Sequence, residues 1–179
     1  MRLLKLRNHP LALRVMVQSD LREILQIEAD SFKHPWSEQD FVEHLENPNS
    51  VALVVVRGSV IVGYEVFGIR PPWIQLHSCV VRREFRRQGI GSQMLACLVR
   101  EVDDGEGAGI VVKIPERNVV AQLFYRYCGF RAVNVLHAYL ADMQDVYVME
   151  YVPRESTLTD SALETPDDEL IPLWDAKHR

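Results

Sequence analysis

Residues 80–95, VVRREFRRQGIGSQML, run from the end of an apolar strand, through four arginines and two glycines, into a helix. A junction of this kind confines the chain to folds in which a sheet feeds helices laid against it. It also has a chemistry. A strand that enters a helix through a tight loop exposes a row of backbone N–H groups, and those amides with the positive end of the helix dipole suit a phosphate. Gly89 and Gly91 allow a close approach of the backbone, and Arg82, Arg83, Arg86 and Arg87 add charge-assisted contacts. Taken alone, Gly-x-Gly reads equally well as a turn before a helix with solvated arginines.

The rest of the chain alternates in the same manner. LALRVMV (Leu11 to Val17) has the pattern of a strand, and QSDLREILQIEADSF that of a helix capped by Ser19 or Asp20, with Leu21, Ile24, Leu25, Ile27 and Glu28 at helical spacing. Ser37 caps a second helix that Pro48 stops. VALVVVRGSVIVGYEVFGI reads as two β-branched strands around the Arg57-Gly58-Ser59 turn, and WIQLHSCVV as a further strand. After the helix at GSQMLACLVREV come a strand (GIVVKI), a helix capped by Asn118 and ended by Gly129, and two strands, RAVNVLHAYL and DVYVMEYV. The order indicates one α/β domain with a mixed sheet over residues 1–152. From Pro153 the chain turns polar and acidic, the pattern of a tail or surface extension.

Charge and composition narrow the partners. The net charge of −5 is uneven: the segment from Pro153 holds seven acids against three bases, which leaves residues 1–152 at −1. The arginine cluster is therefore local, whereas a nucleic-acid binder is basic over a broad face, so no nucleic-acid partner is expected. No apolar run approaches the ~20 residues of a membrane span, and no membrane partner is expected. The opening MRLLKLRNHPLALRV has no continuous apolar core and no small-residue cleavage site, so no signal peptide is read and a cytoplasmic location is expected. Cys79, Cys97 and Cys128 are odd in number and lack metal-ligand spacing. They read as reduced thiols, and no metal is expected.

Arg86-Arg87-Gln88-Gly89-Ile90-Gly91 lacks both the Walker lysine and the third glycine of the dinucleotide fingerprint. It matches instead Arg/Gln-x-x-Gly-x-Gly/Ala, and so resembles the pyrophosphate signature of the GNAT superfamily of CoA-dependent N-acetyltransferases. IEADSFKHPWSEQDF, ERNVVAQLFYRYCGF and the ending from Tyr139 to Met149 resemble, in order, blocks of the RimI-type enzymes that acetylate protein N-termini. The resemblance covers about Leu13 to Tyr151. It implies a mixed, mostly antiparallel sheet of six to seven strands flanked by about four helices, with splayed parallel central strands. It implies acetyl-CoA as co-substrate and a protein or peptide N-terminus as acceptor, a ribosomal protein among the candidates. The protein would be a monomer or homodimer.

By resemblance, backbone groups near Cys79, Val80 and Val81 pair with the pantetheine arm, Arg86, Arg87, Gln88, Gly89, Ile90, Gly91 and Ser92 hold the pyrophosphate, and Asn118 contacts the CoA arm. Tyr125 matches the tyrosine that protonates the leaving thiolate. Trp36, in FKHPWS, and Tyr139 would line the acceptor groove, although a tryptophan between two helices is more often structural. RimI-type enzymes place a glutamate base where this chain has Lys113, and an ammonium is no base unless burial lowers its pKa. His77 is the substitute candidate: alternation puts it on one strand face with Gln75 and Cys79, and an ordinary imidazole, near ~6.5, accepts a proton at physiological pH. Glu65 and Glu116 are weaker candidates for the base, and each reads more readily as a solvated surface acid. Two alternatives stay open, a small-molecule amine acetyltransferase and a non-catalytic acyl-CoA-binding module.

Overall fold

The computed structural model describes residues 2–5, 10–105 and 108–153, so the acidic segment beyond Pro153 lies outside the described residues. Contacts divide the chain into two compact units, Met1–Gly68 with Ser78–Leu95, and Ile69–His77 with Ala96–Arg179.

The first unit is an antiparallel sheet. Strands β1 (Arg2–Lys5), β2 (Pro10–Val15), β3 (Ser50–Arg57) and β4 (Val60–Arg70) follow one another in order. The strand Arg2–Lys5 is one more than the sequence reading anticipated. Gly58, at φ 61°, lets the two-residue turn close the β3–β4 hairpin. A register shift at Val55/Val56 introduces a bulge opposite Gly63, where a Cβ would stand 2.7 Å from the Val80 carbonyl oxygen. One core cluster joins Leu11, Val55, Val62, Ile90 and Met94.

Helices α1 (Leu21–Ala29) and α2 (Glu38–Glu46) belong to this unit. The Ser37 hydroxyl accepts from the Asp40 N–H, and the Asp40 carboxylate accepts from the Ser37 N–H in return, a capping box. Asp20 accepts from the Val17 N–H and from Arg14 at 2.7 and 2.8 Å, and the guanidinium, ahead of the backbone bond, draws its carboxyl below the usual range.

Glu65 departs from the sequence reading. It is 1 % exposed, not solvated, because β4 is covered on both faces and alternation gives it no route to water. Desolvation pushes its carboxyl up to about 8. On the neighbouring position Tyr64 donates to the Glu28 carboxylate, which also accepts from the Trp36 N–H at 3.0 Å. Ser78 donates to the Tyr64 oxygen at 3.3 Å. This buried network ties α1 to the chain that leads into α2 and to two strands.

The second unit takes the first half of β5 (Trp73–Val81), then β6 (Gly109–Pro115), β8 (Val146–Tyr151) and β7 (Arg131–Leu136) in that spatial order. The β5–β6 pair is parallel and the other two are antiparallel. Helix α3 (Ile90–Asp103) passes from the first unit into the second, and α4 (Val119–Tyr127) lies wholly in the second. The core here gathers Trp73, Ala108, Val111, Leu136, Leu140, Val146 and Val148. Gly129, at φ 97°, ends α4, and its N–H bonds the Arg126 carbonyl.

Candidate active site

The strand-to-helix loop of the first unit has the backbone an anion needs. A single 3-10 turn (Arg83–Phe85) follows β5, and then Arg87 and Gly89 take left-handed φ values of 62° and 77° before α3 begins at Ile90. Alternation of ordinary and left-handed residues turns successive N–H groups toward one side, a nest for negative charge. At Gly89 the requirement is conformational, since a Cβ would meet only Gln93 Nε2 at 3.9 Å. Arg87 adopts the same region with a full side chain, which costs about 1 kcal/mol or more. The first turn of α3 carries no acid to compete for its N–H groups.

The four arginines separate into two kinds. Arg82 donates to Glu23 at 2.7 Å, and Arg86 donates to the Val81 carbonyl and to Ser31 Oγ, both at 2.8 Å. These two hold the loop against β5, the first turn of α1 and the residues just past its end. Arg83 and Arg87 are exposed and make no ion pair among the described residues. Gln88 is held by Arg57 at 3.2 Å, and the Arg57 guanidinium lies 5.1 Å from the Phe85 ring centroid. The loop can thus offer a diphosphate its backbone amides and two guanidinium groups, which fits the pyrophosphate of acetyl-CoA. Cys79, Val80 and Val81 form the strand end that leads into it, and Gly91 and Ser92 sit in the first turn of α3.

In the second unit the parallel pairing of β5 with β6 runs from Trp73–Gly109 to Leu76–Val112 and stops. The next two residues in that register are His77 and Lys113. They line one pocket with Leu76, Pro115, Tyr139, Leu140 and Val146. Lys113 Nζ donates to the Tyr139 hydroxyl at 2.5 Å and lies 4.1 Å from the centroid of its ring. Tyr139 belongs to the β7–β8 loop, where Asp145 accepts from the Ala138 N–H at 2.9 Å and pairs with His137 Nδ1 at 2.8 Å. Those bonds, the backbone one foremost, hold the Asp145 carboxyl below its usual range. The Asp145 carbonyl also accepts from Glu116 N–H, which fastens this loop to the end of β6. Glu116 itself is exposed.

Asn118 caps α4, its side-chain oxygen accepting from the Ala121 N–H at 3.2 Å. Tyr125 is 6 % exposed, with edge contacts to Phe124 and Phe130 at centroid distances of 5.2 and 5.3 Å. Trp36 is 2 % exposed, stacked on His44 at 5.0 Å and edge-on to Phe41 at 5.2 Å, so its indole shapes any groove by holding the Phe32–Ser37 segment. The first unit therefore assembles the phosphate loop with Cys79 to Val81, and the second unit brings His77, Lys113 and Tyr139 together. Sequence reasoning did not single out Glu28 as an anchor. Its signal was a carboxylate on the apolar face of α1, four residues after Ile24. No group of residues fit to hold a metal occurs among the described residues, and no helix among them is long and apolar enough to cross a membrane.

Comparison with known proteins agrees with this geometry. The model of the acetyltransferase (GNAT) family matches residues 21–130. A putative [ribosomal protein bS18]-alanine N-acetyltransferase of Bacillus subtilis is 26 % identical over 140 residues, which cover 77 % of this chain and 93 % of that protein. An N-alpha-acetyltransferase of Saccharolobus solfataricus is 26 % identical over 150 residues, 76 % of this chain and 90 % of its own. Among solved structures, the ribosomal-protein-S18-alanine N-acetyltransferase of Escherichia coli superposes with a TM-score of 0.74 at 19 % identity, covering 84 % of this chain and 97 % of that one.

Proposed function

Because the chain belongs to the acetyltransferase (GNAT) family and is an acetyl-CoA-dependent N-acetyltransferase, we propose that its acceptor is the N-terminal α-amine of a protein. The observation that carries this reading is the pocket where the parallel strands part, with His77, Lys113 and Tyr139 on an otherwise apolar lining. Among the described residues that line that pocket, none is a carboxylate. A site without a strong base selects for an acceptor that is already close to neutral. An α-amine has a pKa of about 7.7–8.0, whereas lysine at about 10.4 is neutral only about once in a thousand near physiological pH. The names of the relatives in Bacillus subtilis and Saccharolobus solfataricus support the same class of acceptor, a ribosomal protein being one candidate.

In this reading the amides from Arg87 to Ser92, with Arg83 and Arg87, grip the pyrophosphate of the co-substrate. Arg86 and Gln88 keep the loop in shape, and Asn118 steadies the arm. The backbone from Cys79 to Val81 binds that arm as an added strand would. His77 takes a proton from the entering ammonium group, directly or through water. The amine then attacks the thioester carbonyl within a ternary complex, with no covalent enzyme intermediate, and Tyr125 gives the departing sulfur its proton. A phenol with an ordinary pKa of about 10 is protonated at neutral pH and so is ready to donate. Tyr139 borders the acceptor.

Purified protein incubated with acetyl-CoA and a panel of N-terminal peptides, lysine side-chain analogues and small amines tests the proposal by thiol release. Turnover of peptides through their α-amine supports it. Turnover of small amines alone replaces the acceptor, and tight CoA binding without thiol release removes catalysis. Tyr125→Phe is expected to lower kcat by roughly a hundredfold or more with little change in acetyl-CoA affinity, the split that marks a group acting in the chemical step.

A further inference from the structure

Acetylation of an α-ammonium group must remove two protons from nitrogen, one before attack and one as the N–C bond forms. His77 accounts for the first in the proposed function, on which the following rests. The second needs another acceptor, and the position where a glutamate would serve holds Lys113.

Lys113 is not isolated in the pocket. Its Nζ donates to the Tyr139 hydroxyl at 2.5 Å, and the ring lies beside the ammonium. An adjacent cation favours the anionic form of a phenol. The surroundings strengthen the effect. Leu76, Pro115, Leu140 and Val146 supply an apolar wall, and Lys113 and Tyr139 are both half-buried against it, which lowers the effective dielectric between the two below that of bulk water. The oxygen is also held in place: Tyr139 N–H and Leu140 N–H both bond the Gln144 carbonyl, at 3.0 and 3.2 Å, and Asp145 clamps Ala138. Among the described residues, other charged or titratable groups around the pair are His77 from β5, Glu150 from β8, which sits opposite Val111 on the strand face of Lys113, and Glu116 and the His137–Asp145 pair at the loop.

We propose that Lys113 and Tyr139 form one proton-accepting couple for the attacking nitrogen, with Lys113 holding Tyr139 as phenolate. The nitrogen gives its second proton to the Tyr139 oxygen as the N–C bond forms. The C–S bond breaks, and the sulfur takes a proton from Tyr125. Two protons leave nitrogen, one reaches sulfur, and one is returned to solvent as His77, Tyr139 and Tyr125 reset. The lysine thus acts through a tyrosine brought from another strand connection.

Tyrosinate absorbance in the near ultraviolet tests the couple without reference to turnover. The chain has six tyrosines, and the difference between wild type and Tyr139→Phe isolates the one. That difference is expected to rise about two pH units or more below the ordinary phenol value of about 10, so that phenolate is present near neutral pH. Lys113→Met should return it toward that value, and Lys113→Arg, which keeps the cation, should hold it low and serve as the folding control. In peptide turnover, Tyr139→Phe and Lys113→Met are each expected to lower kcat by roughly a hundredfold, and the double variant to be no slower than either. An ordinary titration in the wild type, or a Tyr139→Phe variant that changes only the peptide KM, overturns the couple while peptide acetylation stands. Absence of peptide turnover by the wild type sinks the acceptor reading instead, and no variant is needed to see it.

Discussion

Glu65 holds a proton that an ordinary glutamate would have lost. Its folded pKa, about 8, lies above the reference 4.5 because burial desolvates the anion. A carboxyl raised in the folded state contributes stability that is complete below the unfolded pKa and is lost as pH rises toward the folded one. Folding stability should therefore decline between about pH 4.5 and 8, by an amount on the order of 5 kcal/mol if this group acts alone. Glu65→Gln cannot ionise, so denaturant midpoints of the variant should stay flat through that window while the wild type falls. A wild-type profile as flat as the variant's would show that the carboxyl ionises freely. Arg87 supplies a second residue-scale prediction. Arg87→Gly relieves a left-handed side chain, so the ligand-free protein should gain up to about 1 kcal/mol. It also removes a guanidinium, and acetyl-CoA affinity by calorimetry should fall roughly tenfold or more. Arg82→Ala should do the reverse in kind, lowering stability by about 1 kcal/mol through loss of Glu23, which lies outside the loop.

At the scale of elements, close approach decides which strands can pair. Gly109 opens β6, where a Cβ would stand 2.2 Å from the Tyr151 carbonyl oxygen and 2.8 Å from the Trp73 ring. The backbone contact cannot yield without moving β8. Gly109→Ala is expected to cost about 3 kcal/mol or more, as overpacking against main chain does, and thermal unfolding against wild type measures it. An unchanged midpoint would mean that the β6–β8 register is not the one described. The helices were readable for a different reason. Ser37 and Asn118 announce their caps within three residues, and alternation over Trp73–Val81 marked a strand at its observed bounds. What local pattern did not reveal was Arg2–Lys5 as a strand, since four residues without a recognised turn carry too little signal.

For the whole molecule, binding is readable as stability. A ligand that grips only the folded chain stabilises it by about 2.7 kcal/mol at a hundred times its Kd. Acetyl-CoA should accordingly raise the unfolding midpoint, whereas the same concentration of the pantetheine arm without the diphosphate should raise it far less. Equal shifts from both would remove the loop from Arg87 to Ser92 as the principal grip. Candidate residues for this site were visible in the sequence as Gly89, Gly91, Asn118, Tyr125 and His77. The division of labour among the four arginines was not. Arg82 and Arg83 are adjacent and alike in sequence, yet only Arg82 has Glu23 within reach, 59 positions earlier.

Caps, turns and strand alternation act over a few residues, so the order of helices and strands after Arg2–Lys5, the glycine-rich loop and the family pattern could be read from the chain alone. Tertiary structure decided how far the parallel pair extends before His77 and Lys113, and that Lys113 meets a tyrosine 26 residues away. It also decided that Glu65 is buried. Those outcomes depend on register and on which surfaces cover one another, and desolvation and pairing at such distances leave no local mark in the sequence.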